Sequence, residues 1–282
     1  MGFDFYSCVN CGFWQEYFAV PATCPVCSDV RNALPENGWE FASAGEMRRR
    51  EEIGELTCRW REIRPDIWMF SSSPSIGIGS SGYLIVRPTG NVAFEAAGWY
   101  TEEALEKIRS LGGINFLSAS HPHGFGALWQ LEKSLKPQFV AFQREAVQFT
   151  KALNVNFVFD DRLEIDETAS LHLVGGHYEG QSVLYYQPSK MLFSGDALKF
   201  ETNQAGETEG VSCHKAFHKQ IPLSRREVEK YREVLGALDF CHVCTPFEFV
   251  PDARTEDAMR LFDLLLTAKV MSTKPILINR GD

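Results

Sequence analysis

Ser118-Ala-Ser-His121-Pro-His123-Gly-Phe125-Gly126 is the stretch around which the rest of the chain is read. Its two histidines stand two residues apart, directly after the apolar run Ile114-Asn-Phe-Leu117. A strand over 114–120 puts the pair in the loop at its C-terminal end, where the sheet can aim both imidazoles at one point. Imidazole nitrogen ligates zinc and iron. Two ligands do not complete a site, and two later stretches offer more. Gly175-Gly176-His177 follows Ser170-Leu-His-Leu-Val174, and Gly195-Asp196 follows Met191-Leu-Phe193. Each places a ligand type at the end of an apolar run, with glycine allowing a sharp turn.

His-x-His after a strand, then Gly-His, then Leu192-Phe-Ser-Gly-Asp196-Ala-Leu198, in that order, resembles the metallo-β-lactamase superfamily. The resemblance runs from Leu56 to Leu266, and the segment ending at Leu198 is its most specific part. It implies an α/β protein, an αββα sandwich over residues 56–282. It also implies one zinc or iron ion held by His121, His123 and His177 with Asp196 beside it. The chain departs from the family at named positions. The family pattern is His-x-His-x-Asp-His, and here the last two positions hold Phe125 and Gly126. A further histidine usual in a late turn is replaced in Cys244-Thr-Pro-Phe247-Glu248, where Phe247 takes its place. The second metal site therefore keeps Asp196 alone. Glu95 stands where the family often has an aspartate that braces the active-site loops.

The chemistry implied is hydrolytic. A metal with an open position lowers the pKa of its water from 15.7 toward about 7. Asp196 then completes the coordination shell or accepts the proton. An ester, thioester, lactone or amide of a small-molecule substrate is the expected target. Phe125 argues against two-metal phosphodiester hydrolysis, which uses both ions as a clamp.

The N-terminus carries a second metal signature. Cys8-Val-Asn-Cys11 and Cys24-Pro-Val-Cys27 are two knuckle-forming pairs that together make a tetrahedral thiolate site for zinc or iron. Cys-Gly-aromatic after the first pair and Cys-Pro-x-Cys in the second resemble the rubredoxin-like module of rubrerythrins and, more broadly, zinc ribbons. Residues 1–34 are read as this module and 35–55 as a linker with a short helix. So small a module has little core, and metal supplies most of its folding energy.

Composition narrows the function further. The chain has 282 residues, 44% hydrophobic and 23% charged, which suits a large core plus a small module. A net charge of −9 argues against a nucleic-acid surface and against an anionic membrane. No apolar run is long enough to span a bilayer, and the first residues lack a signal-peptide pattern. Eight cysteines, four of them in the first 27 residues, read as metal binding in a reducing cytoplasm.

Along the chain, Ser43-Ala-Gly-Glu46 and Ser224-Arg-Arg-Glu227 are capping boxes that open helices. Strands are expected at 66–70, 82–86, 91–94, 114–120 and 138–142, with a helix capped by Thr101, one bearing Leu128, Leu131 and Leu135, and one running on to Leu153. Five further strands lie between 156 and 194. Residues 199–222 read as a polar loop, with His214 and His218 at helical spacing as candidate metal or substrate contacts. Phe125 and Phe247 are candidate substrate-side residues. Tyr231 falls on the apolar face of a helix, His172 is structural, and Cys241 and Cys244 face opposite sides of a strand. Two alternatives stand beside the hydrolase. One is a redox protein with iron in the four-cysteine site and a redox partner, similar in parts to flavodiiron proteins. The other is a non-catalytic binding protein on the same fold.

Overall fold

The computed structural model describes residues 2–32, 34–204 and 207–278. It divides into two units, Met1–Val158 and Phe159–Asp282.

The first unit opens with β1 (Asp4–Cys8) and β2 (Trp14–Tyr17), an antiparallel hairpin turned by the first cysteine pair. β3 (Phe41–Ser43) adds to the other edge of β1. Stretch 35–55 thus holds a strand as well as α1 (Ala44–Glu52). At the head of α1, Ser43 Oγ accepts from Glu46 N and the Glu46 carboxylate accepts from Ser43 N, which satisfies two otherwise orphaned amides.

A meander follows: β4 (Thr57–Arg64), β5 (Ile67–Ser73), β6 (Ser81–Ile85) and β7 (Val92–Phe94), each antiparallel to the last. The chain then changes to parallel crossovers. α2 (Glu102–Ser110) leads to β8 (Phe116–Ser118), and α3 (Leu128–Leu135) leads to β9 (Phe139–Gln143). β7 and β8 are buried along their whole length, as strands covered on both faces must be. α2 sends Ala104, Leu105 and Ile108 inward, the spacing that the sequence advertised. β10 (Phe157–Phe159) ends the sheet, whose order is β10-β9-β8-β7-β6-β5-β4. The helix expected through Leu153 is instead a short 3-10 turn, Arg144–Phe149. Gln143 Oε1 accepts from Glu145 N and Thr150 Oγ donates to Val147 O, so side chains take the bonds that an α-helix would use.

In the second unit β11 (Arg162–Asp166), β12 (Ala169–Leu173), β13 (Ser182–Tyr186) and β14 (Met191–Phe193) form an antiparallel run. β15 (Lys199–Thr202) and β16 (Thr208–Ser212) follow as a hairpin. After α4 (Arg225–Gly236), β17 (His242–Cys244) lies parallel to β14, and β18 (Phe249–Pro251) completes a sheet ordered β11-β12-β13-β14-β17-β18. α5 (Thr255–Thr267) then leads to β19 (Ile276–Leu277), which pairs with β16. Val228, Tyr231 and Leu235 of α4 pack with Ala258, Leu261 and Phe262 of α5 over Val183, Leu192 and Val243. The expected polar loop at 199–222 thus contains a hairpin. Among the described residues its inward face carries only Phe200 and Val211, too few apolar residues to register as a period. No helix among the described residues is long and apolar enough to cross a membrane.

Candidate metal centres

The four N-terminal thiols converge. Cys8, Cys11, Cys24 and Cys27 are all buried, and their sulfurs lie within 4.8 Å of one another. Cys8 Sγ is 3.9 Å from Cys27 Sγ, and Cys11 Sγ is 3.6 Å from Cys24 Sγ. Zinc–sulfur bonds of about 2.3 Å in a tetrahedron separate the sulfurs by about 3.8 Å, so the cluster has the right size for one ion. Local bonds preset the knuckles: Gly12 N donates to Cys8 O at 2.7 Å, Cys27 N to Cys24 Sγ at 3.5 Å, and Asn10 Nδ2 to Cys27 Sγ at 3.2 Å. The thiols share protons unevenly. A hydrogen bond from Cys11 leads the effects that hold Cys8 low, while the bond to Cys24 and burial push Cys11 up.

The first histidine pair belongs to the first unit. β8 ends at Ser118, and His121 and His123 follow in a short 3-10 turn with ring centroids 5.4 Å apart at 76°. Their ligand nitrogens lie within 4.8 Å of each other. Glu95 sets one of these rings through Ser120. Ser120 Oγ donates a short hydrogen bond to Glu95 Oε1, and the same Oγ is 2.8 Å from His121 Nδ1. With its only proton directed to the carboxylate, Ser120 accepts from Nδ1–H. The lone pair of His121 is thereby placed on Nε2, the tautomer that binds metal. The same carboxyl group shapes the loop. A Cβ at Gly124 would fall 1.8 Å from Glu95 Oε2, so no larger residue fits. Glu95 N donates to Ser118 O and Ala96 N to Gly124 O, tying the loop after β7 to the histidine loop.

The second unit holds His177 and Asp196. His177 Nδ1 is 3.0 Å from the carbonyl oxygen of His214, which can only accept, so Nδ1 carries the proton and Nε2 the lone pair. His177 N donates to Tyr231 Oη at 3.2 Å, and Tyr231 Oη donates to Gly175 O at 3.0 Å. Burial pushes the Tyr231 phenol up, keeping it a donor. Asp196, 4% exposed, sits in the turn after β14, which Ser194 N fixes to Cys244 O of β17 at 2.8 Å. His177 Nε2 is 3.5 Å from Asp196 Oδ2. That is long for a direct charged hydrogen bond and close to the roughly 3.3 Å between two ligands of one tetrahedral zinc.

The remaining candidates scatter. His214 is buried with its Nε2 3.0 Å from Ser212 Oγ, and burial, with Lys199, pulls its pKa down to about 4. His218 is exposed. Their helical spacing counts for nothing, because an Ala216–Ile221 bridge closes a turn between and beyond them. Phe247 is 44% exposed, whereas Phe125 is buried against Phe142. Cys244 is buried and Cys241 half-buried, and neither joins a metal-capable cluster among the described residues. His172 bonds Ser170 Oγ, and burial with Arg162 pulls its pKa to about 4, in keeping with a structural role. Sequence reading missed Ser120, and it missed Tyr231 as a partner of the site. Ser120 directly precedes a ligand type, which is a usable signal; Tyr231 gave none beyond its place on α4.

No family model matches the chain. Uncharacterized protein YmaE of Bacillus subtilis (strain 168) is 22% identical over 262 residues, covering 91% of this chain and 93% of that protein. The DIM-1 metallo-β-lactamase superposes with a TM-score of 0.53 at 14% identity, over 74% of this chain and 97% of that one. The Flv1 flavodiiron core from Synechocystis sp. PCC6803 gives 0.54 at 13% identity, over 75% of this chain and 61% of that one. The chain therefore has the metallo-β-lactamase fold, a sheet-rich α/β architecture. It carries in addition a cluster of four cysteines near its N-terminus.

Proposed function

We propose that the chain is a metal-dependent hydrolase with a single ion held by His121, His123 and His177 with Asp196 beside it, acting on an acyl bond of a small-molecule ester, thioester, lactone or amide. The observation that carries the reading is the tautomer of two rings. His121 and His177 each commit Nδ1 to a hydrogen bond and keep Nε2 for a ligand. When bound, zinc or iron supplies a water that ionises near neutral pH. The Asp196 carboxylate would accept that water's proton and pass it to the leaving oxygen, sulfur or nitrogen. The balance is one water across one acyl bond: hydroxyl to the carbonyl carbon, proton to the leaving group. Phe125, buried and apolar, occupies the position of a carboxylate in the family pattern that this stretch resembles, which favours carbonyl over phosphodiester substrates.

The test is a panel of activated esters, thioesters and lactones with the wild type, His123→Ala and Asp196→Asn. Turnover by the wild type that falls at least 100-fold in both variants supports the reading. Turnover that neither variant changes removes it.

A redox role is the second reading, favoured by the four-cysteine cluster together with the likeness to a flavodiiron core. Iron in the cluster would exchange single electrons with a partner protein. Visible ferric–thiolate bands, lost in Cys8→Ser/Cys11→Ser, would support it, and a colourless zinc protein would remove it.

A further inference from the structure

We infer that the four-cysteine module is a positioning element of the histidine loop. Phe125 is the contact through which metal at the cysteines strengthens metal binding at His121 and His123. The inference rests on the proposed function.

Phe125 lies two residues beyond His123 and is 3% exposed. Its ring meets Phe142 of β9 at 5.1 Å and 63°, and Phe13 of the cysteine module at 6.3 Å and 42°. Phe13 lies two residues beyond Cys11, and its backbone closes the first knuckle, with Cys8 N donating to Phe13 O at 2.9 Å. The position of the Phe13 ring is therefore set by the same turn that presents Cys8 and Cys11.

Two further contacts seat the knuckle and the strand that follows it, one on the loop between β5 and β6 and one on the segment after β7. A Cβ at Gly77 would lie 2.1 Å from Gly12 N and 2.3 Å from the carbonyl carbon of Cys11, so backbone meets backbone at the knuckle. Trp14 Nε1 donates to Gly98 O at 3.0 Å, one residue beyond Ala97, whose carbonyl accepts from Ala127 N. The knuckle thus touches both the histidine loop and the strand-end segment that laces it.

The physical consequence is linkage. Phe5, Phe13 and Trp14 seat the module in the core of the first unit, and an ion at the four thiols adds the stability that holds the knuckle itself in shape. Without that ion the knuckle loosens and the Phe13 ring no longer confines Phe125. Ordering the loop over 120–126 then falls to the metal at the histidines, whose affinity drops. Coupling of this kind is reciprocal, so an ion at the histidines tightens the cysteine site by the same factor.

The experiment titrates the full-length chain with zinc against chromophoric chelators, alongside Cys8→Ser/Cys11→Ser, Phe13→Leu, Phe125→Leu and His121→Ala/His123→Ala. Unfolding is followed by circular dichroism. The expected result is two zinc ions per wild-type chain. The histidine-site affinity is lower by roughly 10–100-fold in the cysteine variant, as for loss of other outer-shell support. It is lower also in the two Phe variants with their cysteine sites full. The cysteine-site affinity of the His121→Ala/His123→Ala chain should fall by the same factor. If the cysteine variant fails to fold, the Phe variants and this reciprocal measurement decide. Two zinc ions bound with wild-type histidine-site affinity in folded Phe13→Leu and Phe125→Leu overturn the inference and leave the proposed function standing. A single zinc, unchanged in His121→Ala/His123→Ala, overturns both.

Discussion

Ser120 has one hydroxyl proton, and where it goes determines which nitrogen of His121 can bind metal. Ser120→Ala should lower zinc affinity at the histidines by about 10–100-fold; competition titration measures it. A second residue-scale expectation concerns acid. His172 and His214 have pKa values pulled from 6.5 to about 4, mainly by burial. The folded chain keeps them neutral while the unfolded chain protonates first. Their contribution is therefore intact above pH 6.5 and is lost as pH falls from 6.5 toward 4. The urea midpoint should drop across that window, and His172→Asn should make the drop shallower. An unaltered slope would contradict the assignment. At this scale the four-cysteine cluster was legible because two Cys-x-x-Cys pairs within 27 residues point to one site. Ser120 was not, since a serine in a loop has many uses, and the phenol of Tyr231 was hidden by its place on the apolar face of α4.

Elements were legible wherever their period was long enough. α2, α4 and α5 each carry buried residues at helical spacing, and the capping boxes at Ser43 and Ser224 mark two starts. The hairpin of β15 and β16 was not legible, because Phe200 and Val211 are, among the described residues, its only inward ones in the packed core. The turn after β9 was mistaken for a helix because hydrogen bonds from side chains to the backbone leave no trace in an apolar pattern. Close backbone approach is equally silent in sequence, yet it governs how the cysteine knuckle seats. Gly77 has φ +57 and no room for a Cβ against Gly12. Gly77→Ala should cost about 2–4 kcal/mol from overpacking and left-handed strain together, read as a lowered urea midpoint. A change below about 0.5 kcal/mol would mean that the knuckle does not press on this segment.

At the scale of the whole molecule, each unit carries one large sheet and part of the proposed ligand set beyond its strand ends, His121 and His123 after β8 in the first, His177 after β12 and Asp196 after β14 in the second. The fold class was legible from the order of those motifs. The division after Val158 was not, because both Val158 and Phe159 sit in β10 and no linker composition marks the place. The four-cysteine cluster adds an ion-dependent part to stability. Stripping metal with a strong chelator should therefore lower the thermal midpoint of the wild type more than that of Cys8→Ser/Cys11→Ser. The most direct test of the account is metal content by elemental analysis on protein purified without chelators and saturated with zinc. It would compare the wild type with Cys8→Ser/Cys11→Ser, His121→Ala/His123→Ala and His177→Ala. The account predicts two ions per wild-type chain, one lost with the cysteines. The other should be lost equally with His121 and His123 or with His177. One ion, lost only with the cysteines, would contradict it.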